Sequence, residues 1–180
     1  MQERNTYINF GKHKDFSIDF LLAMMKDARV TTLNRVFDLR EDELHYQYSE
    51  GWNSISVLLA HIYSVEMYFR ISFIEKRNLT TEEEKDIMPG LEMGEFIPEI
   101  LKEKKSLKYF IDRLEISRKT MKEAILKLST EAFHKKQDGY NPKTGFNLAW
   151  ALYHMSEDEI HHRGQISIVR KLYKVWNERK

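Results

Sequence analysis

Hydrophobic positions recur at three- and four-residue steps in four long segments, the spacing of one face of a helix. The first carries Phe16, Phe20, Leu21, Met24, Val30, Leu33 and Val36. It predicts a helix from near Asp15, a candidate N-cap, to about Leu39. Arg40 to Glu43 read as a charged turn in which Asp42 could begin a short helical turn. The second segment follows the breaker Gly51, is capped by Asn53 or Ser54, and runs to about Lys76. Its core positions are Ile55, Leu58, Leu59, Ile62, Val65, Met67 or Tyr68, and Phe69. The third runs from about Ser106 to Ser129 with Leu107, Phe110, Ile111, Leu114, Ile116, Met121, Ile125 and Leu128. Its charges alternate in sign, as on a solvated face. The fourth, Phe146 to Trp176, carries Leu148, Leu152, Met155, Val169 and Leu172. Strand-like alternation is scarce, and there is no internal repeat or low-complexity tract. The pattern predicts an all-α four-helix bundle formed by a single domain over residues 1–180.

The stretches between these segments are less regular. Residues 1–14 read as a loosely held arm with Tyr7 and Phe10 as aromatic anchors. Asn78 to Lys105 contains a helix-start signature, Thr80 or Thr81 before Glu82-Glu83-Glu84, and then Pro89-Gly90 and Gly94 as predicted breaks. This is a long loop and short-helix insertion between helices two and three. Its apolar residues, Ile87, Met88, Leu91, Met93, Phe96 and Ile97, fit a structural cap on one end of the bundle, or a lid over a site. His134 to Asn147 is a second loop, with turn signals at Asp138-Gly139, Asn141-Pro142 and Gly145. It offers Thr144 or Asn147 as a cap for helix four and Tyr140 as a rim residue.

Composition narrows the function classes. The 180 residues hold 29 Lys plus Arg and 28 Asp plus Glu, a net charge of +1, so no electrostatic case exists for a nucleic-acid partner. Cysteine is absent, which removes disulfides, Cys-ligated zinc and cysteine nucleophiles. If thiol chemistry occurs here, the thiol arrives with a co-substrate. The opening Met1-Gln-Glu-Arg-Asn lacks the apolar core of a signal peptide, and no apolar run is read as approaching the ~18 residues of a membrane span. A cytoplasmic protein without a membrane partner is expected. No Ser-His-Asp arrangement, phosphate-cradling glycine loop or nicotinamide fingerprint is visible.

The chemistry concentrates in the fourth segment. Asp158 and His162 stand four residues apart and share a helix face, with His154, His161 and Gln165 in the same broad arc. A carboxylate stacked under an imidazole on an apolar helix is costly to bury without a partner. A divalent metal satisfies both groups together. His61 lies beside the core stripe of the second segment. A lone His there is ordinarily a hydrogen-bonded core residue; a second motif elsewhere makes it a candidate ligand, because metal ligands converge from separate elements. Glu66 points away from His61 and reads as a salt-bridge partner or a group that orients a ligand. His154 and His161 are further candidates, His154 as a ligand or a group that orients one, His161 as a ligand or a proton shuttle. Arg163 reads as an ion-pair partner within the bundle, Gln165 as a hydrogen-bond partner of a ligand, and Gly164 as a point of close helix approach. Glu157 and Glu159 lie off the face of Asp158 and read as solvated or paired. His13, His45 and His134 read as ordinary surface or loop residues.

The string His162-Arg163-Gly164-Gln165-Ile166, with Asp158 four residues ahead, resembles the C-terminal metal motif of the DinB-like superfamily. Trp52 followed by Ser56-Val57-Leu58-Leu59-Ala60-His61-Ile62 resembles the motif that supplies its other histidine. The resemblance runs from about Phe16 to Leu172, with one departure: members often carry His where this chain has Asp158. It implies a DinB/YfiT-like four-helix bundle and a ligand set of His61, Asp158 and His162. The metal would be a divalent transition ion (Zn²⁺, Ni²⁺, Fe²⁺ or Mn²⁺), among which the donor set does not choose. Three protein ligands leave open positions, the mark of a catalytic rather than a structural ion. With a carboxylate in place of a third imidazole the ion is less positive, so a bound water would be less acidic. The implied function is an enzyme acting on a small molecule, by transferring a low-molecular-weight thiol to an electrophile or by hydrolysis, in stress or detoxification. A homodimer is implied as well. Two other readings stay open: a non-catalytic metal-binding dimeric stress or interaction protein, and a His cluster that is only buried polar structure.

Overall fold

Four polar side chains start the four long helices. Asp15 accepts a hydrogen bond from the Ser17 amide, Ser54 from Val57, Ser106 from Tyr109 and Asn147 from Trp150, each satisfying an amide the first turn leaves open. The computed structural model describes residues 13–138 and 145–179. In chain order the helices are α1 (Phe16–Val36), α2 (Glu41–Leu44), α3 (Ile55–Phe69), α4 (Thr81–Glu92), α5 (Ile97–Glu103), α6 (Leu107–Ile125), α7 (Thr130–His134) and α8 (Leu148–Asn177). A π-helical turn, Arg70–Ile74, continues α3. Among the described residues the molecule is all-α, and the bridge between Gln137 and Phe146 is the one strand-like pairing. The expectations for Tyr7, Phe10, Gly139, Tyr140, Asn141, Pro142 and Thr144 lie outside the described residues.

Helix α3 packs against α4, α6 and α8, and α1 packs along α8. The expected core positions of α3 are all buried. Contrary to the expectation about apolar runs, Ile55–Ile74 has the length and mean hydropathy (1.3) of a membrane span. Most of that window is buried inside the protein, which is how a central core helix passes the same test.

Helix α1 differs from its predicted stripe. Phe16 and Phe20 are 64% and 38% exposed, and Leu21, Met24 and Val30 are half-buried. The inward face is Ile18, Met25, Ala28, Leu33 and Val36, interleaved with buried Asp19, Arg29 and Thr32. In α6, likewise, Ile116 is exposed and Ser117 is buried. One polar network accounts for the inward placement of Arg29 and Ser117. The Arg29 guanidinium donates to Glu159 Oε1 at 2.9 Å and Glu66 Oε2 at 2.9 Å. Arg118 pairs with Glu66 and with Glu159 Oε2 at 2.6 Å, and Ser117 Oγ donates to Glu66 at 2.6 Å. Each long helix thus gives one charge to a buried, balanced tetrad. Glu66 is the salt-bridge partner expected; Glu159 is paired and enclosed. Burial works against ionisation of Glu66, but Arg118 and Arg29 outweigh it and hold its pKa below the usual value.

The insertion folds onto α3. Thr80 and Glu83 form a reciprocal capping box at the start of α4. Pro89-Gly90 does not break the helix as predicted; α4 runs to Glu92 and ends at Met93, which has φ 49°. Gly90 is a point of close approach of α4 to α3. A Cβ there would meet Ser64 Oγ at 2.4 Å and the Ala60 carbonyl oxygen at 2.8 Å. Ile87, Ile97 and Ile100 are buried beneath the insertion, so it caps the protein as well as bordering the site described next.

Candidate metal centre

His61 enters from α3, and Asp158 and His162 enter from successive turns of α8. His61 Nε2 lies 3.5 Å from Asp158 Oδ2, and His162 Nε2 lies 3.2 Å from Asp158 Oδ1. The two imidazoles meet edge to face with centroids 4.8 Å apart. One donor atom from each residue falls within 4.8 Å of the others, a spacing at which the three could hold a metal ion. For comparison, two ligands of a tetrahedral zinc at about 2.1 Å stand roughly 3.4 Å apart.

The far side of each ring fixes which nitrogen is free. His61 Nδ1 is 2.9 Å from the carbonyl oxygen of Gly90. That carbonyl sits in the last turn of α4, where the helix has no amide to offer it. A carbonyl only accepts, so His61 Nδ1 carries the proton and Nε2 presents its lone pair inward. His162 Nδ1 is 2.8 Å from Gln165 Oε1, and Gln165 Nε2 is 3.0 Å from His161 Nε2. The Gln165 amide donates to His161 and accepts from His162, which leaves His162 Nε2 facing Asp158. Hydrogen bonds of this kind set the tautomer and angle of metal-binding imidazoles.

The charges are uneven. Burial lowers the pKa of His61 more than Asp158 restores it. Burial also opposes charge on His162, but its hydrogen bond to Asp158 and the carboxylate's charge overcome this and raise it. Burial pushes Asp158 up, and the two imidazoles more than offset it, so its pKa is lowered. The site therefore favours a cation between Asp158 and His162. The donor set, two inward lone pairs and one carboxylate, fits a divalent transition ion.

The remaining candidates are placed as follows. His154 stacks on Trp150 at 4.7 Å and lies 3.7 Å from Glu157; it stands a turn away and does not join the three donors. His161 is exposed and reaches the centre through Gln165. Arg163 donates to Thr31 on α1, a neutral partner in place of the expected ion pair. Gly164 is exposed with open space around it, so no close helix approach among the described residues explains it. His45 is more than a loop residue: it bridges Ser56 Oγ and the Lys105 carbonyl at 3.1 Å each. His134 ties the chain to Asp15 Oδ2 at 2.9 Å, and His13 Nδ1 accepts from the Asp15 amide. Sequence reasoning missed Gly90. Its only local signal is a glycine just before a helix end, and which histidine it would meet is set by the packing of α4 on α3. A separate cleft of about 260 Å³ on the other flank of Gly90, bordered by Tyr63, Asp86 and Tyr109, contains none of the three site residues.

An all-helical molecule with an inward His-Asp-His triad on two helices, in the sequence context of the two motifs, belongs to the DinB-like superfamily. Within it, a family model described as Mycothiol-S-transferase matches residues 20–174, and the chain belongs to that family. No curated protein matches the chain.

Proposed function

We propose that the protein is a metal-dependent transferase that joins a low-molecular-weight thiol to an electrophilic small molecule. His61, Asp158 and His162 are its metal ligands, and the four long helices form the single-domain DinB/YfiT-like bundle. The observation that carries this reading is the convergence of the three donors with both Nδ1 atoms anchored from behind. Transfer is preferred to hydrolysis because the matching family is one of S-transferases, and because the chain has no cysteine the thiol is a co-substrate. A bound divalent ion would act as a Lewis acid, favouring the thiolate form of a thiol that reaches it. The chain's residues do the rest: the imidazoles hold position, Asp158 supplies negative charge, and Gly90 and Gln165 keep both Nε2 atoms inward. In the overall reaction the thiol sulfur forms a bond to the electrophilic carbon; the thiol proton and the leaving group depart. A cytoplasmic location, a role in stress or detoxification and pairing as a homodimer belong to the same proposal.

The test is loss of free thiol with time, using metal-loaded protein, a panel of low-molecular-weight thiols and a halogenated electrophile. Turnover above the uncatalysed rate is expected, falling in His162→Ala by at least the roughly hundredfold upper end of what losing a mere hydrogen-bond partner of a ligand costs. Turnover that survives in His61→Ala and His162→Ala would contradict the proposal. Stable metal binding without turnover on any thiol would favour the non-catalytic alternative.

A further inference from the structure

The outer face of α8 carries a stripe that the metal centre does not use. The buried residues of α8 include Met155, His162, Ile166, Val169 and Tyr173, all on one side of the helix. At 100° per residue, Gly164 points almost directly away from them. Tyr153, Ile160, Ile168 and Val175 all lie within about 40° of Gly164's direction, on the line where an amphipathic helix is normally polar. They are 46%, 46%, 56% and 46% exposed. Glu157 and Lys171 complete the line, both exposed.

The stripe is symmetric about Gly164. Ile160 and Ile168 lie four residues to either side, Glu157 and Lys171 seven, and Tyr153 and Val175 eleven. A two-fold axis through Gly164 therefore lays α8 antiparallel on a second α8. Ile160 then meets Ile168 of the other copy, Tyr153 meets Val175, and Glu157 meets Lys171 with opposite charge. Such an isologous arrangement is the geometry of a closed dimer. The contact line is about 33 Å long at 1.5 Å per residue. A glycine on the axis allows the helices to approach to the short end of the usual range of about 8–10 Å. This accounts for the open space around Gly164 and for four large apolar side chains facing away from the core.

We propose that this face of α8 is the surface on which a second copy of the chain docks, antiparallel and centred on Gly164. The inference gives a specific face to the pairing included in the functional reading, and rests on the stripe and not on the metal. Because the chain has no cysteine, Gly164→Cys would hold the sole thiol, placed on the axis. With diamide as oxidant, it is expected to form a disulfide-linked dimer much faster than Lys119→Cys on the exposed side of α6. Sedimentation equilibrium should give twice the 21.6 kDa chain mass. Symmetry places the Glu157–Lys171 contact twice, so Glu157→Lys or Lys171→Glu should each weaken dimerisation about tenfold or more, at up to about 1 kcal/mol per contact. The double swap, Glu157→Lys with Lys171→Glu, should restore it. A monomer at high micromolar concentration would overturn the proposal. So would equal cross-linking at positions 164 and 119, or a double swap no tighter than the single variants. Metal content read in the same samples separates the two readings, since a monomer that keeps its metal overturns the pairing alone.

Discussion

His61 and His162 touch the same carboxylate yet shift in opposite directions, because their surroundings differ. His162 keeps a hydrogen bond to Asp158 and another to Gln165, which favour the protonated ring over the burial that opposes it. His61 is governed by burial and by its charged neighbour His162. In the metal-free protein the pKa of His162 is raised above its ordinary 6.5. The stability this adds is present below that value and is lost as pH rises through the folded-state pKa. Asp158→Asn should lower the pKa of His162, and an NMR titration of the imidazole reads this directly; an unmoved titration would contradict the geometry. A metal ion competes with the same proton. Zn²⁺ affinity should fall as pH drops through the range in which His162 takes up its proton, with proton release visible as a buffer-dependent heat of binding. Heats independent of buffer throughout that range would count against His162 as a ligand.

At the scale of elements, the site depends on how α4 and α8 are seated. Gly90→Ala would set a methyl group against Ser64 and the Ala60 backbone. It should cost about 1–3 kcal/mol in denaturant unfolding and weaken metal binding, as the Gly90 carbonyl leaves His61. Unchanged stability would show that α4 does not rest where it is described. The tetrad pins α8 to α1, α3 and α6. Arg29→Met leaves two carboxylates to one guanidinium and should cost about 3–5 kcal/mol; a loss under about 1 kcal/mol would mean the pairs are more solvated than their burial implies. This tetrad also marks where hydrophobic spacing misled. The four long helices, the Asp15, Ser54 and Asn147 caps and the core of α3 were legible in the sequence, because each has a local cause; α5 and α7 were not. The inward faces of α1 and α6 were not. Arg29 and Ser117 are inside only because Glu66 and Glu159 arrive from other helices to satisfy them, and periodicity counts them as polar.

For the whole molecule, the triad was legible for a similar reason. Asp158 and His162 are one helical turn apart, so local spacing reveals them, and the sequence around His61 resembles a known partner motif. The exclusion of His154, and the hydrogen bonds to Gly90 and Gln165, depend on tertiary packing that spacing does not encode. Glu159 looked like a flanking charge of Asp158 and is instead one of the most enclosed carboxylates among the described residues. The proposed function rests on His61, Asp158 and His162 holding one divalent ion between α3 and α8. The most direct measurement is metal content by plasma mass spectrometry on protein purified without a His tag, beside His61→Ala and Asp158→Ala. About one transition metal per chain is expected in the parent protein, as for a single three-ligand site, with its loss in both variants. No metal, together with thermal stability unchanged on adding Zn²⁺ or Ni²⁺, would contradict it, as would metal retained equally in all three proteins.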